Sequence, residues 1–347
     1  MNKNQQTLRV GALAILLAIL LRLIGSGTLG GVLDVFAQPE LASFLIYTQT
    51  GRNPEPEQTE PPQTTLDPTD ATDPTDPEET DPPTEPPTEP PVQVEKPSFS
   101  AEDVQYAELA YSCTYRPDVE ALLTQTLTWD LTGGEPAILI VHTHGTEAYT
   151  ETPDTQYEEF GGEFRTLDDR YNMISIGDEL TRLLEAGGLK VIHDRTPHDE
   201  NDYLDAYDNS RDAVKEWLTQ YPSIKMVLDL HRDAAEYADG TQWATSAEIN
   251  GESSSQLMFV VGTDARGLTH PNWKTNLSIA EKLNVLMERN VSGITRPINL
   301  RGQRFNHDLA MGALIVEVGS AGNTHQESIN AISVLAEAIL ELAHGSK

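Results

Sequence analysis

From residue 137 onward, short apolar runs alternate with stretches whose apolar positions recur every three or four residues. Residues 137–141 are continuously apolar and follow Gly133-Gly134, the mark of a strand buried on both faces. In residues 172–184, Met173, Ile176, Leu180, Leu183 and Leu184 fall at helical spacing, and Gly187-Gly188 closes the segment. A strand is predicted at 189–192, a helix at 213–218 and a central strand at 225–230. Asn250-Gly251 is a hairpin signal, followed by a strand at 257–262, a helix at 277–286, a strand at 313–316 and a last helix at 327–342. Strands alternating with helices predict an α/β fold, a largely parallel or mixed sheet flanked by helices. In such a sheet the ligand site lies beyond the carboxyl ends of the strands.

The first hundred residues follow a different pattern. Lys3 and Arg9 precede an apolar run that begins at Val10, is interrupted by Arg22 and resumes to Leu33. Two readings fit: a transmembrane anchor in which Arg22 snorkels or lies near the outer interface, or a cleaved signal peptide with a small-residue site at Val35-Phe36-Ala37. Both export the rest of the chain, and the anchor, kept as the working expectation, leaves Lys3 and Arg9 in the cytoplasm. From residue 53 the chain repeats Thr-Asp-Pro and Thr-Glu-Pro-Pro units, with no aromatic between Tyr47 and Phe99. Such a stretch cannot bury enough apolar surface to offset chain entropy, so a disordered, extended spacer is expected. The 347 residues therefore divide into a membrane anchor and juxtamembrane segment at 1–52, a linker at 53–98 and one catalytic domain at 99–347. The expected location is a single-pass protein of the cell membrane with its catalytic domain outside the cytoplasm.

Charge narrows the function. With 55 acidic against 23 basic residues the net charge is −32, which argues against a nucleic-acid partner. The single cysteine, Cys113, excludes an internal disulfide and a cysteine-rich zinc cluster.

Three of the predicted strands end in reactive side chains: His142-Thr143-His144-Gly145-Thr146-Glu147, Asp229-Leu230-His231-Arg232-Asp233 and Glu317-Val318-Gly319-Ser320. If these strands are neighbours, two or three imidazoles and at least two carboxylates share one cleft. Zn2+ accounts for that combination, because a catalytic zinc takes three protein ligands, often two His and one Glu, and keeps a position for water. His144, Glu147 and His231 are the candidate ligands and Glu317 the free base. A second set joins His142 and His144 with His231. Asp229 is a candidate for orienting a ligand imidazole, and Arg232 either binds a substrate carboxylate or forms a structural ion pair. His193 and His198 read as residues of a solvated loop.

The blocks HTHGTEAY, DDRYNMISIGDELTRLLEAGGLKVIHDRTPHD, MVLDLHRDA, MFVVGTD, HPNWKTNL, RFNHDL and IVEVGSAGNT occur in the order found in the stage II sporulation protein P family, which residues 136–347 resemble. That resemblance implies a zinc-dependent cell-wall hydrolase, distantly similar to N-acetylmuramoyl-L-alanine amidases. Such an enzyme cleaves between the lactyl group of the glycan and the first L-alanine of the stem peptide, with endopeptidase action on crosslinks also implied. It further implies peptidoglycan as substrate, stage II sporulation proteins D and M as partners, and a place in the septal or engulfing membrane of the forespore. By motif position, His144, His231 and Glu317 fall where the wider amidase group has two zinc ligands and its catalytic glutamate. The acidic ligand by the same likeness is Asp169, at the start of the first helix, whereas the H-x-x-E pair, as in zinc carboxypeptidases, favours Glu147. The chain departs from the family pattern at Asn306-His307-Asp308, where Asn-Gln-Asp is expected, and Asn306 is a candidate substrate contact. A zinc carboxypeptidase or endopeptidase on wall peptides and a non-catalytic wall-binding scaffold are the alternatives.

Overall fold

The computed structural model describes residues 96–345, except Trp129 and Ala238. The expected anchor at 1–52 and nearly all of the linker at 53–98 lie outside the described residues. Among the described residues, no helix is long and apolar enough to cross a membrane.

A seven-stranded sheet organises the domain. Its strands are β1 (Leu109–Ser112), β2 (Ile138–Val141), β3 (Val191–His193), β4 (Met226–Asp233), β7 (Leu257–Gly262), β8 (Ile298–Arg301) and β9 (Ala313–Ser320), in the order β1-β8-β7-β9-β4-β2-β3. All neighbours run parallel except β7 and β9, which are antiparallel. The sheet is thus mixed and largely parallel, as the pattern predicts. A separate hairpin joins β5 (Ala247–Ile249) to β6 (Glu252–Ser254). Asn250 and Gly251 make its turn with φ of 53° and 88°, the left-handed pair a type I′ turn demands.

Helices cover both faces, which is why the central strands read as unbroken apolar runs. Ile138, Ile140, Leu228 and Leu230 point into the larger core, which they share with α2 (Met173–Ala186), α4 (Trp273–Asn290) and α5 (His325–His344). Leu139, Val141 and Val227 point the other way, against Val214 and Trp217 of α3 (Ala206–Gln220). A short helix, α1 (Val119–Leu123), packs on α4. Local signals fix the helix starts. Asn172 accepts the Ile174 N–H ahead of α2, and Thr324 and Glu327 cap each other reciprocally ahead of α5.

Several boundaries move. The helix predicted at 213–218 begins at Ala206, because its first turns carry the polar sequence Ala-Tyr-Asp-Asn-Ser-Arg-Asp and show little apolar periodicity. β4 and β9 extend to Asp233 and Ser320, past the ends of their apolar runs. His193 and His198 do not lie in a solvated loop. His193 is the last residue of β3, its side chain 7% exposed, and His198 is likewise buried, with Nε2 3.6 Å from Asp194 Oδ2.

Candidate active site

The three reactive strand ends are neighbours. β4 lies between β2 and β9, and His231 pairs directly with Glu317 across the β4–β9 ladder. The register shifts between His231 and Asp233, an irregularity of the kind that re-aims side chains at sheet ends. β2 ends at Val141, and the chain then turns through 143–146. That turn brings the His144 ring to 5.4 Å from His231, at 84° between planes. Glu147 reaches the same place, its Oε2 3.6 Å from His231 Nδ1. His144, Glu147 and His231 are all at least nine-tenths buried.

Each imidazole has a carboxylate at its back. Asp229 Oδ1 lies 3.1 Å from His231 Nε2, without the alignment of a hydrogen bond, while Thr143 donates its N–H (2.8 Å) and hydroxyl (2.6 Å) to the same carboxylate. Asp199 stands 3.6 Å from His144 Nδ1 and is held by the Thr146 hydroxyl (2.7 Å) and by Arg165 Nη2 (2.6 Å). Carboxylates behind imidazoles are the arrangement that orients metal-binding histidines. Asp229, expected to orient a ligand imidazole, lies beside His231. Asp199 lies in the loop after β3, outside the three strand ends that carry the motifs, and so has no motif signal of its own.

The electrostatics of the cluster are uneven. Burial alone would lower His231, but Asp229 and Glu147 outweigh it and raise its pKa well above 6.5. Burial would raise Glu147, yet Arg232 and His231 hold it down at about 2. Glu317 differs: burial, with Glu147 and Asp233 nearby, pushes it up to about 8, and its Oε2 has no hydrogen-bond partner. The same ladder therefore carries a carboxyl group poised to hold or release a proton near neutral pH.

The other predicted residues fall in different places. Arg232 is buried, donating Nε to Ala148 O (2.9 Å) and Nη2 to Phe164 O (3.0 Å). His142 turns away from His144 and His231: its Nε2 is 2.8 Å from His193 Nε2, and both atoms sit over Gly177, where a Cβ would come within 2.6 Å and 2.4 Å of them. Asp169 is half-exposed and pairs with Arg195 at 3.1 Å, apart from the imidazole pair. Asn306 donates to Tyr207 O (2.9 Å) and Ser210 Oγ (3.0 Å). His307 is a backbone anchor, its Nδ1 accepting the Gly262 N–H at 3.0 Å.

Two tyrosines complete the cluster and carried no motif signal. Tyr203, half-exposed, stacks on His144 at 4.2 Å with the Arg165 guanidinium 4.7 Å from its ring centre. Tyr207 sets its ring edge-on to His144 at 5.7 Å and nearly parallel to His231 at 6.4 Å.

The donor set suits zinc in kind, with two imidazoles and a carboxylate brought together, each imidazole backed by a second carboxylate. Among the described residues, however, no group of three or more His, Cys, Asp or Glu side chains is arranged to hold an ion. In this arrangement His231 faces a carboxylate on each side, Glu147 at Nδ1 and Asp229 at Nε2.

A family model described as stage II sporulation protein P matches residues 36–340. Stage II sporulation protein P of Bacillus subtilis (strain 168) is 28% identical over 228 residues, 61% of this chain and 52% of that protein. The match thus spans about half the length of that relative. Among solved structures, the CwlD amidase of Clostridioides difficile in complex with the GerS lipoprotein is similar at a TM-score of 0.38 and 14% identity, over 61% of this chain and 96% of that one. The N-acetylmuramoyl-L-alanine amidase AmiC2 of Nostoc punctiforme is similar at 0.36 and 11% identity, over 61% and 97%.

Proposed function

Since the chain belongs to the stage II sporulation protein P family, we propose that it is a peptidoglycan hydrolase of sporulation, a zinc-dependent N-acetylmuramoyl-L-alanine amidase. The observation that carries this reading is the meeting of His144, Glu147 and His231 with Glu317 at adjacent strand ends. His144, Glu147 and His231 would hold the ion. Zinc in such a site supplies Lewis acidity, polarising the scissile carbonyl and acidifying water.

The chain's own residues do the rest. Asp199 and Asp229 fix the imidazole planes. Glu317 takes a proton from the attacking water at Oε2 and returns it to the alanine nitrogen as the amide bond breaks. The same proposal includes an anchor at 1–52 that holds the domain outside the cytoplasm, and stage II sporulation proteins D and M as partners.

Muropeptide mapping of digested sacculi tests the reading. Intact stem peptides released from glycan strands are expected, and His231→Ala should abolish that release with the far-UV circular dichroism unchanged. Trimmed or uncrosslinked peptides would make the chain a peptidase, and release at the normal rate by His231→Ala would refute the mechanism.

A further inference from the structure

As water adds to an amide, the carbonyl oxygen takes up negative charge, and a donor already aimed at that oxygen lowers the barrier. Around His144 and His231 most donors are committed. Arg232 is bound to Ala148 O and Phe164 O. Arg165 gives Nε and Nη2 to Thr146 and Nη2 also to Asp199. Arg211 is bidentate on Asp308, and the Thr143 and Thr146 hydroxyls serve Asp229 and Asp199.

Tyr207 is not committed in this way. Its ring and those of His144 and His231 form a triangle with sides of 5.7, 6.4 and 5.4 Å, so it borders both imidazoles at once. Its hydroxyl makes no hydrogen bond to any described residue, while its backbone carbonyl is gripped by Asn306 at 2.9 Å. Phe305 backs the ring at 5.7 Å and is held there with a φ of 53°, a left-handed conformation that bulky residues rarely adopt. The rotation of Tyr207 is thereby set by packing and its O–H is left for a ligand. Tyr203 also has an uncommitted hydroxyl, but it stands half in solvent at the rim, where water competes for the bond.

We propose that Tyr207 is a catalytic residue whose hydroxyl donates a hydrogen bond to the scissile carbonyl oxygen during hydrolysis. The inference rests on the amidase reading of the same site. Water oxygen forms a bond to the carbonyl carbon, and the π pair moves onto the carbonyl oxygen, where the Tyr207 O–H meets it without giving up its proton. The carbonyl then re-forms, the C–N pair leaves on nitrogen, and that nitrogen receives the proton Glu317 took from water.

Tyr207→Phe in the full chain tests this, because it removes the hydroxyl and keeps the ring. On solubilised glycan strands kcat should fall about 100-fold with KM unchanged. Zinc affinity by chelator competition and the unfolding temperature should match the wild type. A phosphinate analogue of the muramoyl–alanine amide should lose about the same factor in affinity. Undiminished kcat overturns the proposal, and so does a loss of kcat matched by an equal loss of zinc affinity, which would make Tyr207 a support for His144. A wild type that releases no stem peptides sinks the amidase reading itself and the Tyr207 role with it. An active wild type alongside an equally active Tyr207→Phe sinks the Tyr207 role alone.

Discussion

Asp199 shows how much of the site depends on groups that never touch substrate. Its carboxylate takes hydrogen bonds from Thr146 and Arg165 and stands 3.6 Å from His144 Nδ1, leaving the imidazole one free edge. On the zinc reading, Asp199→Asn should weaken metal affinity roughly 10- to 100-fold, the usual cost of losing a carboxylate behind a ligand histidine. Competition with a fluorescent chelator measures it, and unchanged affinity would mean that His144 is not a ligand. At this scale the sequence was partly legible. His144, His231, Glu147 and Glu317 stand out because polar residues at the ends of apolar strands are costly without a use. Asp199, Tyr203 and Tyr207 do not stand out. They belong to a polar loop and a helix start whose approach to the strand ends is set by tertiary packing. Asp169 was drawn in by analogy with another helix start, and here it faces Arg195.

Among the elements, α4 carries an unusual pair. Glu281 is fully buried with neither carboxyl oxygen hydrogen-bonded, and burial pushes its pKa up to about 8. Its neighbour Lys282 caps the end of α1, donating to Leu122 O and Leu123 O. A carboxyl group whose folded pKa exceeds its unfolded value stabilises the fold at low pH, and that contribution is lost between about pH 4.5 and 8. Wild-type stability should therefore fall across this window by roughly a few kcal/mol through Glu281. Glu281→Gln should flatten that slope and be the more stable protein at pH 8, as urea unfolding at pH 5 and pH 8 would reveal. Equal slopes in the two proteins would place a compensating partner at Glu281. The apolar runs of β2, β4, β7 and β9 were readable because both faces of those strands are buried. β1 was not, since three of its four residues are exposed. β8 was not, since its four residues only alternate between buried and half-buried after Pro297. The antiparallel pairing of β7 with β9 has no local signature at all, because strand direction is decided by connections.

For the whole domain, sheet and helices form one framework, and the candidate site hangs from its carboxyl edge. A ligand that binds only the folded state adds RT ln(1 + [L]/Kd), about 2.7 kcal/mol at a hundredfold excess over Kd. For a domain of this size that corresponds to an unfolding temperature raised by roughly 5–10 °C on adding zinc and restored by a chelator. A melting curve indifferent to both would remove zinc from the proposal while leaving the fold intact. The pairing of His231 with Glu317 bears on how such a site could be moved or redesigned. These two groups keep their spacing through rungs of main-chain hydrogen bonds, so exchanging the surrounding loops would change which molecules gain entry without disturbing their alignment. A one-residue slip of either strand would turn its member of the pair to the opposite face of the sheet. The transplantable unit is thus a pair of strands, and protein engineers seeking new specificities would do well to leave that ladder untouched and vary its borders.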